Sequence, residues 1–407
     1  MQLLIFNAGS SSLKFELLEL GAGAAPHRLA AGSFVDAADG TGRFVPRLPA
    51  PPPNAAHLQG APPPVASLAQ AAEAALRWLS DRSVHGRDLM SGVAASVHRI
   101  VHGGERFRAT TVLSDADLGA LADLSALAPL HNPPALAVIT AVRRTLGAKL
   151  PLVGVFDTAF YAGLPEAAIH YAVPARWRSE YGIRRYGFHG MAHRYLSQAV
   201  RDRLPASSAP ARIVSAQLGQ GCSVTATLAG AAIATSMGFT PLEGLVMGTR
   251  SGDLDPGALL YVMERAGLSP ADASRALNQE SGLLGLSGRT ADMHELLTLE
   301  RSGDAGAALA VEVFCRRARH YVAAYIAELG GVDAIVFGGG IGENSPEIRR
   351  RIIAPLAWAG ITLQPQLNEA GVGVDARISA QASRASVWVV PVDEASIMAT
   401  EAATLLG

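Results

Sequence analysis

Short, wholly apolar runs bounded by glycine or polar turns recur along this chain and alternate with stretches of helical apolar spacing. Leu3–Phe6 is the first such run; it gives way to Asn7-Ala8-Gly9-Ser10-Ser11-Ser12 and then to Leu13–Leu20. That order reads as strand, polar turn, strand, with glycine permitting the turn. Val93–Arg108 reads as a buried strand running into a Gly103-Gly104 turn, and Leu150–Phe156 as another buried strand ending at Asp157. Ile213–Thr227 repeats the plan of the amino terminus, with Gly219-Gln220-Gly221 as its turn. Ala334–Phe337 and Val387–Val390 are the last strand runs. Between them, helical spacing appears over Ser67–Arg82, Pro134–Leu146, the segment from His189 to Arg203, Ala305–Leu329, Glu347–Trp358 and the closing segment to Leu406. Further helices start at Asp255-Pro256 and Ser269-Pro270, where Asp or Ser precedes a first-turn proline. Residues 21–64 are rich in Ala, Gly and Pro and read as peripheral strands joined by a mobile loop.

Strands alternating with helices predict an α/β architecture. Two hairpins of one design predict two domains of similar topology, placed at residues 1–158 plus 393–407 and at 159–392. At 407 residues the chain is long enough for both.

Composition narrows the setting. Hydrophobic content is 49% and charged content only 17%, so much of the surface of each element should be interior or interface. A net charge of −1 argues against nucleic-acid or membrane-surface partners. Two cysteines, Cys222 and Cys315, exclude a disulfide framework and suit a reducing compartment. No basic-then-apolar leader precedes the first strand and no apolar run reaches spanning length, so a cytoplasmic protein is expected. Only Lys14 and Lys149 are lysines among 34 basic residues, and Lys14 stands beside the Gly/Ser turn as a compact point charge.

The chemistry gathers in loops. Thr240–Gly257 sets Arg250 among glycines and small residues, where a planar fork of donors suits a pair of phosphate or carboxylate oxygens. Arg99 interrupts an apolar strand and requires an anionic partner, either a structural acid or a ligand. His131 precedes a helix that Asn132 is placed to cap, and is a donor candidate for an anion. Asp157 sits at the carboxyl end of a buried strand, where α/β ligand sites form. His189 and His193 are four apart but lack a third ligand, which disfavours a transition metal. Asn7, Ser10, Ser12 and Lys14 line one hairpin turn and Gly219-Gln220-Gly221 the other. Gly338-Gly339-Gly340-Ile341-Gly342-Glu343-Asn344 follows a strand and precedes a helix, a phosphate-cradling order that is not a P-loop signature. Glu394, near the start of the closing helix, is either a magnesium-water ligand or a capping acid.

Taken together, N-A-G-S-S-S-L-K-F, H-R-I-V-H-G-G-E, A-P-L-H-N-P-P, V-F-D-T-A-F, R-R-Y-G-F-H-G, T-P-L-E-G-L-V-M-G-T-R-S-G-D-L-D-P, G-I-G-E-N and V-P-V-D-E-A-S-I-M-A resemble the acetokinase family, over nearly the whole chain. The resemblance implies two actin-like (ribonuclease H-like) domains flanking a central catalytic cleft. It implies reversible, Mg2+-dependent transfer of the ATP γ-phosphate to acetate, giving acetyl phosphate and ADP, in a homodimer. By matching motif it places Arg99, Asp157, Arg250, His189 and His131 in catalysis, and Arg99 with Val101, Leu130, Phe188 and Pro241 around the acid. It places Lys14, Ser10, Ser12, Gln217, Gly219, Gln220, Gly221, Asp292, Met293, His294, Gly338, Gly339, Gly340, Ile341, Gly342 and Asn344 toward ATP, and Asn7 and Glu394 toward the metal. Chemically this is coherent: a carboxylate attacking a phosphoryl group brings two anions together, and fixed cationic donors offset the repulsion. Direct in-line transfer is expected, with a domain closure that excludes water.

Departures from the family pattern cluster toward the phosphoryl donor. Gln217 and Gln220 stand in Q-L-G-Q-G where the family shows H-L-G-N-G; His294 stands where an arginine is usual; Met191-Ala192 replaces T-S, and Tyr161 a histidine. These changes predict altered nucleotide affinity or donor choice with intact carboxylate chemistry. Two alternatives accompany the leading reading: a propionate or other short-chain acyl kinase, toward which Val101 leans least, and a non-catalytic, nucleotide-binding actin-like sensor.

Overall fold

The computed structural model describes residues 1–9, 12–21, 26–35, 43–47, 65–81, 83–84, 87–205 and 209–407. The chain divides into two units, one formed by Met1–Ala159 with Asp393–Gly407 and the other by Phe160–Val392.

In the first unit, β1 (Gln2–Ala8) and β2 (Ser12–Glu19) form the expected hairpin, closed by Gly9 donating its N–H to the Ser12 carbonyl at 2.8 Å. β3 (His27–Val35) and β4 (Arg43–Arg47) extend it outward. These are the peripheral strands expected within residues 21–64; the joining loop lies outside the described residues. A two-stranded ribbon of β5 (Ser83–Val84) and β6 (Arg87–Asp88) stands apart. On the other side of β1, β7 (Val93–Ile100) and β9 (Leu152–Phe156) run parallel to it, with the short β8 (Thr111–Val112) at the edge. All of β9 is buried, as expected of a parallel strand covered on both faces.

The helices Leu68–Ser80 and Asn132–Leu146 pack on this sheet and on each other, enclosing Leu4, Phe6, Phe15, Trp78, Ile139 and Phe156. Ser67 caps the first of these helices, accepting from the Gln70 N–H. The closing helix, Glu394–Leu406, lies against β1, β7 and β9 and is capped by Asp393.

The second unit repeats the plan. β10 (Arg212–Leu218) and β11 (Cys222–Leu228) make the hairpin, β12 (Ala231–Thr235) adds to it antiparallel, and β13 (Ala334–Gly338) and β15 (Ser386–Val389) run parallel on the other side of β10. β14 (Ala376–Arg377) closes the edge. The order β12-β11-β10-β13-β15 therefore matches β3-β2-β1-β7-β9 strand for strand. Helix Gly190–Arg201 covers β10 and β13 through Leu196 and Val200, and the long helix Ala305–Glu328 lies against β10 and β11.

Two sequence expectations are corrected. Asn132 does not cap its helix: it is buried within the first turn, His131 takes the cap position, and Asn132 instead exchanges two hydrogen bonds with the His102 backbone at 3.1 and 2.9 Å. Burial of the amide explains this, since a buried amide needs partners on both its oxygen and nitrogen. Gly338–Asn344 is not a loop: Gly339–Asn344 forms a short helix, followed by Pro346–Ile353 and a 3-10 turn over Ala354–Ala359. Between the helices at Pro270 and Met293 the chain adds one more, Gly282–Ser287.

Candidate active site

Each unit carries a cluster of charged and polar groups at the carboxyl ends of its central strands. In the first unit Arg99 comes from β7, Asp157 directly follows β9, Asn7 is the penultimate residue of β1, and Glu394 opens the closing helix. Arg99 donates from Nε and Nη2 to the two Asp157 oxygens at 3.1 and 2.8 Å, a bidentate fork. Its Nη1 donates to Asn7 Oδ1 and Glu394 Oε2, both at 3.3 Å, while Asn7 Nδ2 donates to the same Glu394 oxygen at 2.6 Å. Of the five guanidinium N–H groups, one on Nη2 is left unassigned among the described residues. Burial pulls the Arg99 guanidinium down, but the charges of Asp157 and Glu394 and the Asp157 hydrogen bond outweigh it and raise its pKa. The anionic partner that a strand arginine requires is thus Asp157, only 1% exposed, with Glu394 as a second acid.

The neighbouring histidines are structural. His98 stacks on Phe6 with ring centroids 5.4 Å apart and bonds Ser96 Oγ through Nε2 at 2.7 Å; burial pushes it down to about 3, so it stays neutral. His102 Nδ1 accepts from the Gly104 N–H at 3.0 Å. His131 is half-buried at the head of Asn132–Leu146, Val101 is buried and Leu130 is exposed. Lys14 is exposed and pairs in register with Asn7, with Ser12 beginning the same strand; Ser10 lies outside the described residues.

In the second unit His189 adopts a left-handed conformation, φ 59°, immediately before helix Gly190–Arg201. A non-glycine residue held there signals a surrounding structure that over-determines it. Its Nδ1 bonds Ser223 Oγ at 2.8 Å; the same hydroxyl bonds His193 Nε2 at 2.7 Å, and His193 Nδ1 reaches Ser215 Oγ at 2.7 Å. Both nitrogens of His193 are thus occupied by hydroxyls. Burial, with His189 nearby, pushes His193 well below the usual imidazole range.

Arg250 approaches from the Thr240–Gly257 stretch. A side chain added at Gly221 would meet Arg250 Nη2 at 2.8 Å and the His189 ring at 3.2 to 3.3 Å, so glycine is what lets both groups stand at the turn. Arg250 Nη1 donates to the Pro241 carbonyl at 2.7 Å, and among the described residues no carboxylate pairs with its guanidinium, which burial lowers. The acids of the same stretch are committed elsewhere: Asp253 to Gly244 N–H, Tyr321 and Arg317, Glu243 to Arg185 and Tyr171, and Asp255 to capping Pro256–Ala266.

The glycine segments of this unit lie side by side. The Gly340 N–H nitrogen is 3.8 Å from the point a Gly219 side chain would occupy, and Gln217 pairs with Gly338 across β10 and β13. Gln217 Oε1 is buried without a partner among the described residues. Gln220 is exposed and its carbonyl accepts from Gly248 N–H, beside which Ala291 packs, bringing Asp292–His294 near the same turn. Asp292 caps helix Met293–Arg301, Met293 is buried in the core, and His294 is exposed. Asn344 donates to the Gly340 carbonyl at 3.0 Å. Phe188 is buried, its carbonyl accepting from Tyr161 Oη at 2.9 Å. Ser223 and Ser215 are the residues sequence reasoning missed; alternation along β10 and β11 places them on one face, but nothing in the sequence names that face as His193's.

Doubled β-hairpin sheets, each with parallel strands ending in anion-suited groups, define a phosphotransferase of the actin-like α/β class. The chain belongs to the acetokinase family, whose profile matches residues 2–400. It is 44% identical to an acetate kinase of Solibacter usitatus, over 98% of this chain and 97% of the relative. A solved acetate kinase of Porphyromonas gingivalis superposes with TM-score 0.88 at 35% identity, covering all of both chains. A solved propionate kinase of Francisella tularensis gives 0.87 at 34% identity over 98% of each.

Proposed function

We propose that this protein is an acetate kinase, transferring the ATP γ-phosphate reversibly to acetate. The observation that carries the reading is Arg250: a half-buried guanidinium without an acid partner among the described residues, beside His189 at a turn kept open by Gly221. A cation held that way is stabilised when an anion arrives. Arg250 and His189 hold and neutralise the transferring phosphoryl oxygens. Ser223 fixes the His189 ring. Arg99, aimed by Asp157 and Asn7, offers its remaining N–H to the acid or to the phosphoryl group, and His131 adds a donor. Val101 and Leu130 on the first unit, and Phe188 and Pro241 on the second, are the apolar residues assigned to the acid by matching motif. In the second unit the nucleotide is held by the Gly219–Gly221 and Gly338–Gly342 segments with Asn344 and Asp292–His294; Ser10, Ser12 and Lys14 of the first unit are assigned to it by matching motif. No covalent nucleophile is needed: positioning and charge stabilisation carry phosphoryl transfer.

Among the described residues no cluster of three acids, histidines or cysteines forms a cation cage. Mg2+ does not need one, since it keeps several waters and takes one or two carboxylates plus phosphate oxygens. The donor set fits: Glu394 Oε1 makes no hydrogen bond among the described residues and Asn7 stands next to it. When bound, the ion supplies charge neutralisation at the phosphates. Chelation should abolish activity and added Mg2+ restore it.

The propionate kinase likeness sustains a second reading, a kinase of a longer short-chain acid; Val101, rather than a smaller residue, favours acetate. A hydroxylamine trap for acyl phosphate, run with acids of increasing length, decides: no hydroxamate with any acid overturns the kinase reading, and a kcat/KM maximum at propionate overturns acetate. We also expect a homodimer, supported by exposed Leu260 and Tyr261 on helix Pro256–Ala266, and a cytoplasmic location; among the described residues no helix is long and apolar enough to cross a membrane.

A further inference from the structure

Arg349 is the largest fully buried side chain of the described residues, at 0% exposure. No carboxylate lies within ion-pair distance of it among them. Its guanidinium is satisfied by neutral acceptors instead: Nε donates to Asn368 Oδ1 at 2.9 Å, Nη1 to the carbonyls of Gly342 and Glu343 at 2.9 Å each, and Nη2 to the Asn368 carbonyl at 2.7 Å. Burial holds its pKa down at about 10, still charged at neutral pH. Glu369 is near enough to raise that pKa a little but makes no ion pair with the guanidinium, and a buried cation held only by neutral acceptors is a costly device for packing alone, because apolar side chains of similar volume fill such space better.

What Arg349 grips is the carboxyl end of the short helix Gly339–Asn344. The other end of that helix is gripped too. Glu343 Oε1 accepts from the Gly339 N–H at 2.8 Å and from the Val392 N–H at 3.1 Å. On the third side, Gly339 has φ 77° and lies so close to β10 that an added side chain would stand 2.6 Å from the Leu218 carbonyl oxygen. Asn368 is itself tied to the Pro346 carbonyl at 2.9 Å, which anchors the whole arrangement to the following helix.

We infer that Arg349 and Glu343 are positioning residues for nucleotide: together they fix the Gly338–Gly342 backbone in the shape that receives the phosphates of a nucleoside di- or triphosphate. The inference rests on the proposed placement of nucleotide at this segment. Neither side chain touches the nucleotide; both act through the peptide groups they hold. A planar fork is required at 349, since a lysine ammonium cannot serve four acceptors spread over two chain segments.

The test uses the full-length protein and three substitutions, Arg349→Met, Arg349→Lys and Glu343→Gln, read by steady-state kinetics and by hydrogen exchange of the 338–344 segment with and without ADP. Arg349→Met and Glu343→Gln should each raise the nucleotide KM at least fivefold while the acetate KM stays within twofold, with Arg349→Lys in between. ADP should slow exchange of the segment in the unmodified protein and slow it less in the variants. If both KM values rise together, or the nucleotide KM stays within twofold, the inference is overturned. If Arg349→Met does not fold, Glu343→Gln, which removes no buried cation, decides by the same criteria. Absence of ADP protection in the unmodified protein defeats the nucleotide placement itself; protection that persists unchanged in the variants defeats only the positioning role.

Discussion

An Arg250→Gln substitution removes a cation that the folded chain holds without an acid partner among the described residues, and its effects on activity and on stability should point in opposite directions. The guanidinium makes one hydrogen bond to the Pro241 carbonyl, and burial lowers its pKa. Folding therefore loses one charge-assisted bond and gains relief from desolvating a lone charge; the net change should be within about 1 kcal/mol of zero. On the proposed role of Arg250, catalysis loses a fixed charge at the transferring phosphoryl group. Arginines in that role contribute about 10³ to 10⁵ in kcat, which is roughly 4 to 7 kcal/mol. Arg99→Gln is the control. It leaves Asp157, only 1% exposed, without its bidentate partner, so about 3 to 5 kcal/mol of stability should go with the activity. Hydroxamate formation measures the first quantity and denaturant unfolding the second. An Arg250→Gln protein that keeps more than a tenth of kcat, or that loses more than 2 kcal/mol of stability, refutes the reasoning.

Three further outcomes are expected. Ser223→Ala frees the His189 ring from its 2.8 Å hydroxyl contact; losing one orienting hydrogen bond should cut kcat about tenfold with little change in the acetate KM, and an unchanged kcat counts against the relay. Val101→Ala removes apolar bulk from a residue proposed to face the acid, and the propionate-to-acetate ratio of kcat/KM should rise by about 1 to 3 kcal/mol, or roughly 5- to 150-fold, as read from paired saturation curves. His98 titrates near 3 in the folded chain against about 6.5 unfolded. Below pH 6.5 the unfolded chain binds the extra proton, so stability falls as pH drops from 6.5 toward 3, by about 2 kcal/mol at pH 5. His98→Gln, which keeps an acceptor for Ser96, should flatten that acid limb in thermal unfolding; an identical slope assigns the limb to other groups.

How much of this was readable beforehand depends on how local each feature is. The runs Leu3–Phe6, Leu150–Phe156 and Ala334–Phe337 announce buried parallel strands by composition, and the repeated strand-turn-strand at residues 3–20 and 213–227 announces the doubled topology. Asp255 and Ser269 cap helices where the Asp-Pro and Ser-Pro pairs say they should. Pairings across long separations are silent in the sequence: the partners of Arg99 come from positions 7, 157 and 394. That Arg99 needs an acid is legible from its apolar strand, but which acid is settled only by sheet order. Asn132 looked like a cap because Asn before Pro-Pro is a cap pattern; its commitment to the His102 backbone is tertiary. The glycines of Gly338–Gly342 signalled a loop by propensity, and the helix forms there because Glu343 and Arg349 secure its two ends.

The first unit is assembled from two pieces of chain, the second from one. A ribosome therefore finishes everything the second unit needs before the helix Glu394–Leu406 emerges, whereas the early sheet must wait, its β1, β7 and β9 surface uncovered, for residues 393–407. Arg99 waits with it, holding Asp157 but lacking Glu394. The Arg99 cluster is thus incomplete on nascent chains until residues 393–407 have joined the first unit, and an uncovered apolar sheet during that interval is where chaperone engagement should concentrate.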